Sequence, residues 1–275
     1  MLQPLLATSH TPLAMIIHFF KYQGTGNDFI IVDNRKHACS SLTSDQIRRL
    51  CDRRFGIGAD GLMMLNEKAG YDFEMKYFNS DGREGSMCGN GGRCITKFAY
   101  HLGIHRTDYK IWAVDGDHEA EIDTDGIVSL KMKDVDQVKK IHGDFILDTG
   151  SPHYIKLVTD VMEIDIYKKG RDIRYSKDFE EEGINVNFVE QAGEDEIIVR
   201  TYERGVEDET FSCGTGVTAA ALVCYHNENG FNEVEVKTLG GTLSVEFDRV
   251  EDGRYTNIWL CGPAEKVFEG KVEVK

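Results

Sequence analysis

The chain has 275 residues, of which 41% are apolar and 29% charged, an ordinary balance for one large globular domain or two of usual size. Its net charge of −15, with no basic stripe or tail, argues against nucleic acid as a partner but not against small acidic molecules, because a local arginine outweighs a field screened beyond about 10 Å. No apolar run approaches the roughly 20 residues of a membrane span, so no membrane partner is expected.

Taken in chain order, Met1 to Ala14 reads as a disordered extension or an upstream start ahead of Met15. Strand signals follow at Ile16–Phe20 and Phe29–Val32, and then a helix over Ser44–Cys51 with Thr43 or Ser44 as its cap. Leu62–Leu65 and Phe73–Phe78 are strands, and Gly92–Leu102 is a helix just after Cys88. Ile127–Met132, Tyr154–Val158, Val186–Val189 and Ile197–Tyr202 continue the strand pattern. A small, apolar helix runs from Val217 to about His226, and Leu243–Phe247 is a further strand. Each half thus reads as a strand-rich sheet wrapped around one central helix, an α+β fold of two pseudo-symmetric domains.

The seven cysteines are odd in number and form no spacing framework, which points to a reduced, cytoplasmic chain. Cys88 and Cys94 are separated by five residues rather than the two to four of a zinc knuckle, and no histidine pair follows, so no metal is expected. Two of the cysteines share a setting. Cys88 lies in Met87-Cys88-Gly89-Asn90-Gly91-Gly92-Arg93, and Cys213 in Ser212-Cys213-Gly214-Thr215-Gly216-Val217-Thr218. Asp115-Gly116 and Gly240-Gly241 then end at the same offset of 28 residues from each cysteine. The chain reads as two copies of one unit. Residues 15–132 carry Cys88, with the last strand, 262–275, returning to them by symmetry, and residues 133–261 carry Cys213.

A cysteine at a helix start meets free amides and the positive end of the helix dipole, which lowers a thiol pKa. The glycines beside it let a carboxylate reach those amides. Two such turns facing each other hold a carboxylate between two helix ends, with a sulfur on each side of its α-carbon. That arrangement predicts removal of the α-proton by one sulfur and its return from the other, with most of the acceleration coming from the amides. No lysine sits in a phosphate-cradling motif, so no pyridoxal phosphate or other cofactor is expected. A lone buried cysteine is more often a small hydrophobe, and Cys39, Cys51, Cys94, Cys224 and Cys261 read as structural. The residues alone leave three classes open: an enzyme, a non-catalytic amino-acid-binding module, and a redox sensor using the pair as a disulfide.

Over nearly all its length from Ile16, the sequence resembles the diaminopimelate epimerase family, within a wider group that includes proline racemase and phenazine-pathway isomerases. The matching segments are Gly24-Thr25-Gly26-Asn27-Asp28-Phe29, Arg53-Arg54-Phe55-Gly56-Ile57-Gly58-Ala59-Asp60-Gly61, Phe78-Asn79-Ser80-Asp81-Gly82, Cys88-Gly89-Asn90-Gly91, Gly150-Ser151-Pro152-His153, Tyr202-Glu203-Arg204-Gly205 and Cys213-Gly214-Thr215-Gly216. The resemblance implies a cofactor-independent epimerase with its site in the cleft between the domains, Cys88 and Cys213 as the acid–base pair, and a possible homodimer. It implies that the amides of Gly89, Asn90, Gly214 and Thr215 bind the α-carboxylate. Asn27, Asn79, Asn185, Glu203 and Arg204 would hold the substrate's other polar groups, with His153 and Glu203 flanking the reacting centre. Arg204 suits a distal carboxylate and Glu203 an ammonium. Ser151 stands where many members carry asparagine, and its shorter reach routes that contact through water or loses it. Gly61 replaces a glutamine of some members and is given no binding role. A racemase of another amino acid, histidine for example, would share the cysteine turns without needing the distal clamp.

Overall fold

The computed structural model describes residues 15–225, 230–251 and 253–274. The extension 1–14 and the expected helix end at His226 lie outside them. The first half runs β1 (Met15–Gly24), β2 (Asn27–Asp33), α1 (Ser44–Cys51), β3 (Gly61–Asn66), β4 (Phe73–Asn79), β5 (Glu84–Gly85), α2 (Gly89–His101), β6 (Asp108–Ala113), β7 (Gly116–Ile122) and β8 (Val128–Lys131). The second runs β9 (Lys139–Ile141), β10 (Asp144–Asp148), β11 (Pro152–Leu157), α3 (Ile166–Arg174), β12 (Asn185–Gln191), β13 (Glu196–Glu203), β14 (Asp208–Thr210), α4 (Gly214–Ala221), β15 (Gly230–Thr238), β16 (Gly241–Glu251) and β17 (Arg254–Gly262). A last strand, β18 (Glu265–Val274), follows.

Strand pairing repeats in the two halves. In the first, β1 is antiparallel to β2, β2 parallel to β3, β3 antiparallel to β4, β4 parallel to β6, and β6, β7 and β8 are antiparallel in turn. In the second, β10, β11, β12, β13, β15, β16 and β17 repeat that sequence of senses. The short strands β5 and β14 sit on β4 and β13. The halves join where β8 pairs with β17, and β18 crosses back to pair with β1 as β9 pairs with β10. The fold is α+β, with the strands of each half wrapped around one helix.

Those helices are buried for a reason written in their sequence. Cys94, Ile95, Phe98 and Ala99 of α2 share a core with Phe29, Met63, Ile111 and Leu130. Val217, Ala219, Ala220 and Ala221 of α4 share the other with Ile155, Val199, Val234 and Leu260. Small side chains allow α4 to lie against strands on all sides. Smaller outer cores lie under α1 (Ile47, Leu50) and α3 (Ile166). α1 is set by a capping box: Gln46 N donates to Thr43 Oγ1, and Thr43 N to Gln46 Oε1. Its bounds match the sequence expectation.

The central helices start earlier than expected. α2 begins at Gly89 and α4 at Gly214, so each cysteine is itself the N-cap, with nearly equal backbone angles (φ −104°, ψ 128° and φ −110°, ψ 111°). The glycines delay the periodic signal, because no apolar side chain marks the first turn. α4 ends at Ala221, short of the expected His226. Helix α3 and strands β5, β6, β7, β9, β10, β14, β15 and β17 were not expected from the pattern. Among the described residues, no helix is long and apolar enough to cross a membrane.

Candidate active site

The two helix N-termini meet. An idealised Cβ on Gly214 would lie 3.4 Å from Gly89 Cα and 2.9 Å from Leu260 Cδ2, so the two glycines face each other at close range beneath Leu260. Neither cysteine side chain caps its own helix by a hydrogen bond, which leaves first-turn amides of both helices turned toward one space. Cys213 is buried and Cys88 half-buried, and both are free thiols.

The sulfurs have different neighbours. On the first side, Asn27 Nδ2 donates to Asp60 Oδ2 at 2.6 Å, which turns Asn27 Oδ1 toward Cys88 Sγ at 3.6 Å. Asp60 is held in turn by Arg53, whose Nη2 donates to Asp60 Oδ1 and Asp28 Oδ1, both at 2.7 Å. Asp28 also pairs with Lys21 Nζ at 2.7 Å. Burial works against the Asp28 charge, but Arg53 and Lys21 together hold its carboxyl well below the usual range.

On the second side, Asn187 Oδ1 accepts from Thr201 Oγ1 at 2.9 Å, and Asn187 Nδ2 donates to Tyr154 O at 3.2 Å and to His153 Nδ1 at 3.0 Å. The Nδ1 of His153 is therefore the acceptor, and Nε2–H donates to Thr215 Oγ1 at 2.9 Å. The Thr215 hydroxyl proton is then free to point at Cys213 Sγ, 3.5 Å away. His153 is fully buried, and desolvation with the Arg204 charge lowers its pKa to about 3. It is a neutral, orienting imidazole.

Helix position was expected to lower both thiol pKa values; the structure reverses this for the free protein. Burial raises both, Cys213 to about 12, and the Glu203 carboxylate adds to the rise at each. Amides of Asn90 and Gly91 at Cys88, and of Gly216 at Cys213, pull the other way without prevailing. Glu203 is itself raised, chiefly by burial and further by Asp60.

Arg204, Asn185 and Ser151 form a third group. Arg204 Nη1 donates to Glu182 O at 3.0 Å and Nη2 to Ser151 Oγ at 3.4 Å, while Arg204 N donates to Asn185 Oδ1 at 2.9 Å. Asn185 Nδ2 donates to Ser151 Oγ at 2.9 Å. Arg204 forms no ion pair with a carboxylate among the described residues, and it acts on His153, whose contacts lead to Cys213.

Of the residues singled out from sequence, Cys88, Asn27, Gly89, Asn90, Gly214, Thr215, Cys213, Glu203 and His153 fall around one space, with Asn185, Ser151 and Arg204 beside it. Asn90 has a further role, and Asn79 departs from expectation. The Asn90 side chain is buried, and its Nδ2 donates to Ser212 O at 3.0 Å, tying the halves together, and to Asn27 Oδ1 at 3.5 Å. Asn79 is exposed at the end of β4, and its side chain lies over Gly85. Asp60, Thr25 and Arg93 carry no role by sequence alone, although each lies in one of the glycine-rich motifs, and Asn187 and Tyr77 lie outside the expected set. The signal for Asn187 was present: one amide inside the apolar run Val186–Val189. Tyr77 packs over Gly61, whose idealised Cβ would sit 2.4 Å from the ring. Cys88, Asp60 and Glu203 all act on its phenol, which burial raises well above its ordinary range.

The geometry agrees with comparisons to known proteins. A family model described as diaminopimelate epimerase matches residues 19–138 and 145–267. The diaminopimelate epimerase of Flavobacterium psychrophilum is 47% identical over 252 residues, 91% of this chain and 98% of that protein. That of Chlorobaculum tepidum is 42% identical over 260 residues, covering 90% and 98%. The crystal structure of a PhzF-family phenazine biosynthesis protein from Bacillus anthracis superposes with a TM-score of 0.70 at 17% identity, covering 94% of this chain and 99% of that one, which shows the shared fold. Paired cysteine N-caps, matching halves and identity across almost the full length lead to one conclusion: the chain belongs to the diaminopimelate epimerase family.

Proposed function

We propose that this protein interconverts L,L- and meso-2,6-diaminopimelate by passing the α-proton between Cys88 and Cys213, without a cofactor. The observation that carries the reading is the abutment of two uncapped helix N-termini, each beginning at a cysteine, with Glu203 acting on both sulfurs. The α-carboxylate seats on the first-turn amides of Gly89, Asn90, Gly214 and Thr215, where both helix dipoles favour negative charge. The thiolate of one cysteine takes the α-proton, and the electron pair delocalises into that carboxylate. The thiol of the other returns a proton to the opposite face, so the two cysteines exchange protonation states.

Glu203 meets the α-ammonium, and Asn27 holds a polar group beside Cys88. Asn79 reaches the substrate only if its exposed side chain turns inward. Arg204, placed by Ser151 and Asn185, clamps the distal carboxylate. Ser151 acts by fixing those two residues, which accounts for a serine at this position. The division into 15–132 with 262–275 and 133–261 is part of the same proposal, supported by the pairing of β18 with β1. So are a cytoplasmic location and a homodimer, with diaminopimelate rather than nucleic acid or membrane as the partner, in lysine and peptidoglycan-precursor synthesis.

The test is α-deuterium uptake from D₂O with L,L-diaminopimelate, followed together with formation of the meso product. Uptake with meso product, lost in Cys88→Ala and in Cys213→Ala, is expected; absence of uptake with folded protein sinks the reading. Arg204→Ala removes a charge-assisted contact of about 1.5–3 kcal/mol, so KM should rise roughly ten- to hundredfold. An unchanged KM would favour a racemase of an amino acid with no distal carboxylate.

A further inference from the structure

One buried charge takes no part in the reaction as described. Arg93 lies on α2, one turn beyond Cys88, and is fully buried. Its partners are all neutral oxygens: Gly89 O at 3.4 Å from Nη1, and Thr25 Oγ1 at 3.3 Å and Asn90 Oδ1 at 3.1 Å from Nη2. Its Nε is buried with no partner. No carboxylate among the described residues pairs with it. A buried cation without an anion is costly and is seldom kept for stability alone.

We infer that the Arg93 guanidinium is a positioning charge, whose counter-ions in the working protein are the Cys88 thiolate and the carboxylate of the bound substrate. The inference rests on the two-cysteine reading and adds an asymmetry to it. Counted from each cysteine, the residue matching Arg93 is Thr218, whose hydroxyl is spent on Gly214 O at 3.0 Å. The two helix N-termini are therefore unequal: one has a full positive charge behind it and the other has only its dipole. Arg93 favours the Cys88 thiolate alongside the Asn90 and Gly91 amides, whereas Cys213 has the Thr215 hydroxyl and the Gly216 amide but no cation. The other groups do not reverse this order. Glu203 on β13 raises both sulfurs, Cys88 adds to the rise at Cys213, and Tyr77 on β4 stays a neutral phenol. The titratable groups that act on Arg93 itself are thiols, Cys88, Cys94 on its own helix and Cys261 on β17, with no acid among them.

The test is the pH dependence of iodoacetamide alkylation of the whole, reduced protein, with Cys88 and Cys213 followed separately by peptide mass spectrometry. Midpoints are compared rather than rates, because they do not depend on steric access. In the wild type the Cys88 midpoint should lie about one pH unit or more below that of Cys213, a tenfold difference in thiolate fraction at neutral pH. Arg93→Gln can keep the bonds to Thr25 and Asn90 without the charge, and should raise the Cys88 midpoint by about a unit while moving Cys213 much less. Arg93→Lys should restore most of the difference. An unmoved Cys88 midpoint in folded Arg93→Gln overturns the inference. So do equal shifts at both cysteines, which mark a site merely loosened. Should that variant not fold, the wild-type order decides, and Cys213 titrating first overturns it. No substrate is present, so this outcome is independent of the deuterium experiment.

Discussion

His153 shows how one residue fixes the direction of a hydrogen-bond chain. Asn187 donates to its Nδ1, so its Nε2–H faces Thr215 and the hydroxyl proton is directed to Cys213. The same burial makes it costly in acid. Its folded pKa of about 3 lies below the ordinary 6.5, so its contribution to stability is complete above pH 6.5 and is lost progressively as pH falls toward 3. At pH 5 the loss from this group is about 2 kcal/mol. His153→Gln, with an acceptor and a donor in the same span, should flatten the part of the acid destabilisation that begins below pH 6.5. Urea midpoints at pH 7 and pH 5 for both proteins check this, and parallel slopes would remove His153 as the cause. Most site residues of this kind were legible, because they lie in short polar motifs between apolar runs. The link from Asn187 through His153 to Thr215 was not, since its members are 34 and 62 residues apart: Asn187 meets His153 through the parallel pairing of β11 and β12, and Thr215 meets it through the packing of α4 on β11.

At the scale of elements, the packing of α4 sets where Cys213 stands. Gly216 leaves no room for a side chain: an idealised Cβ would be 2.3 Å from Asn187 Oδ1 and 3.3 Å from His153 Cε1. Gly216→Ala must push the helix off β12 or break the Asn187–His153 contact. Overpacking of this kind costs about 1–3 kcal/mol, and a comparable loss in positioning lowers kcat by roughly ten- to hundredfold. Thermal unfolding and kcat measured together check it; a normal kcat with a lowered Tm would separate packing from catalysis. Element α1 was readable because its capping box and amphipathic face are local. Strands β6 and β7 were missed because their outward faces, Asp108, Lys110, Glu119 and Glu121, carry charge that masks a half-buried period of two. The bounds of α2 and α4 were displaced by the glycines that give access to their amides.

Across the whole molecule, the halves meet at a few close contacts. Thr25 has φ +49°, an unfavourable conformation for a β-branched residue, and its carbonyl faces Gly240 in the turn between β15 and β16. An idealised Cβ on Gly240 would fall 1.8 Å from that oxygen. The matching turn of the first half is open, with nothing within 4 Å of a Cβ on Gly116. Gly240→Ala should therefore lower Tm by several degrees, at about 2–4 °C per kcal/mol, and raise KM by separating the two helix ends. Gly240 lies outside the left-handed region, so alanine there adds the clash with Thr25 and no backbone strain, and an unchanged Tm and KM would dismiss this contact as a determinant of the interface.

The repeated cysteine turns, the small apolar helix after Cys213 and the polar motifs between strands were fixed by sequence alone, because each depends on neighbours within a few residues. They were enough to indicate two halves, one thiol from each, and the class of chemistry. Only the tertiary structure decided that both thiols are raised rather than lowered in the free protein, since burial and the Glu203 charge come from elements far apart in the chain. It also decided that the two sulfurs differ. A guanidinium and a threonine hold matching places in the repeat, and only the enclosing sheet makes one of them a buried charge without an anion. Local pattern reports which groups are present; desolvation and distance, which set their charge, belong to the folded chain.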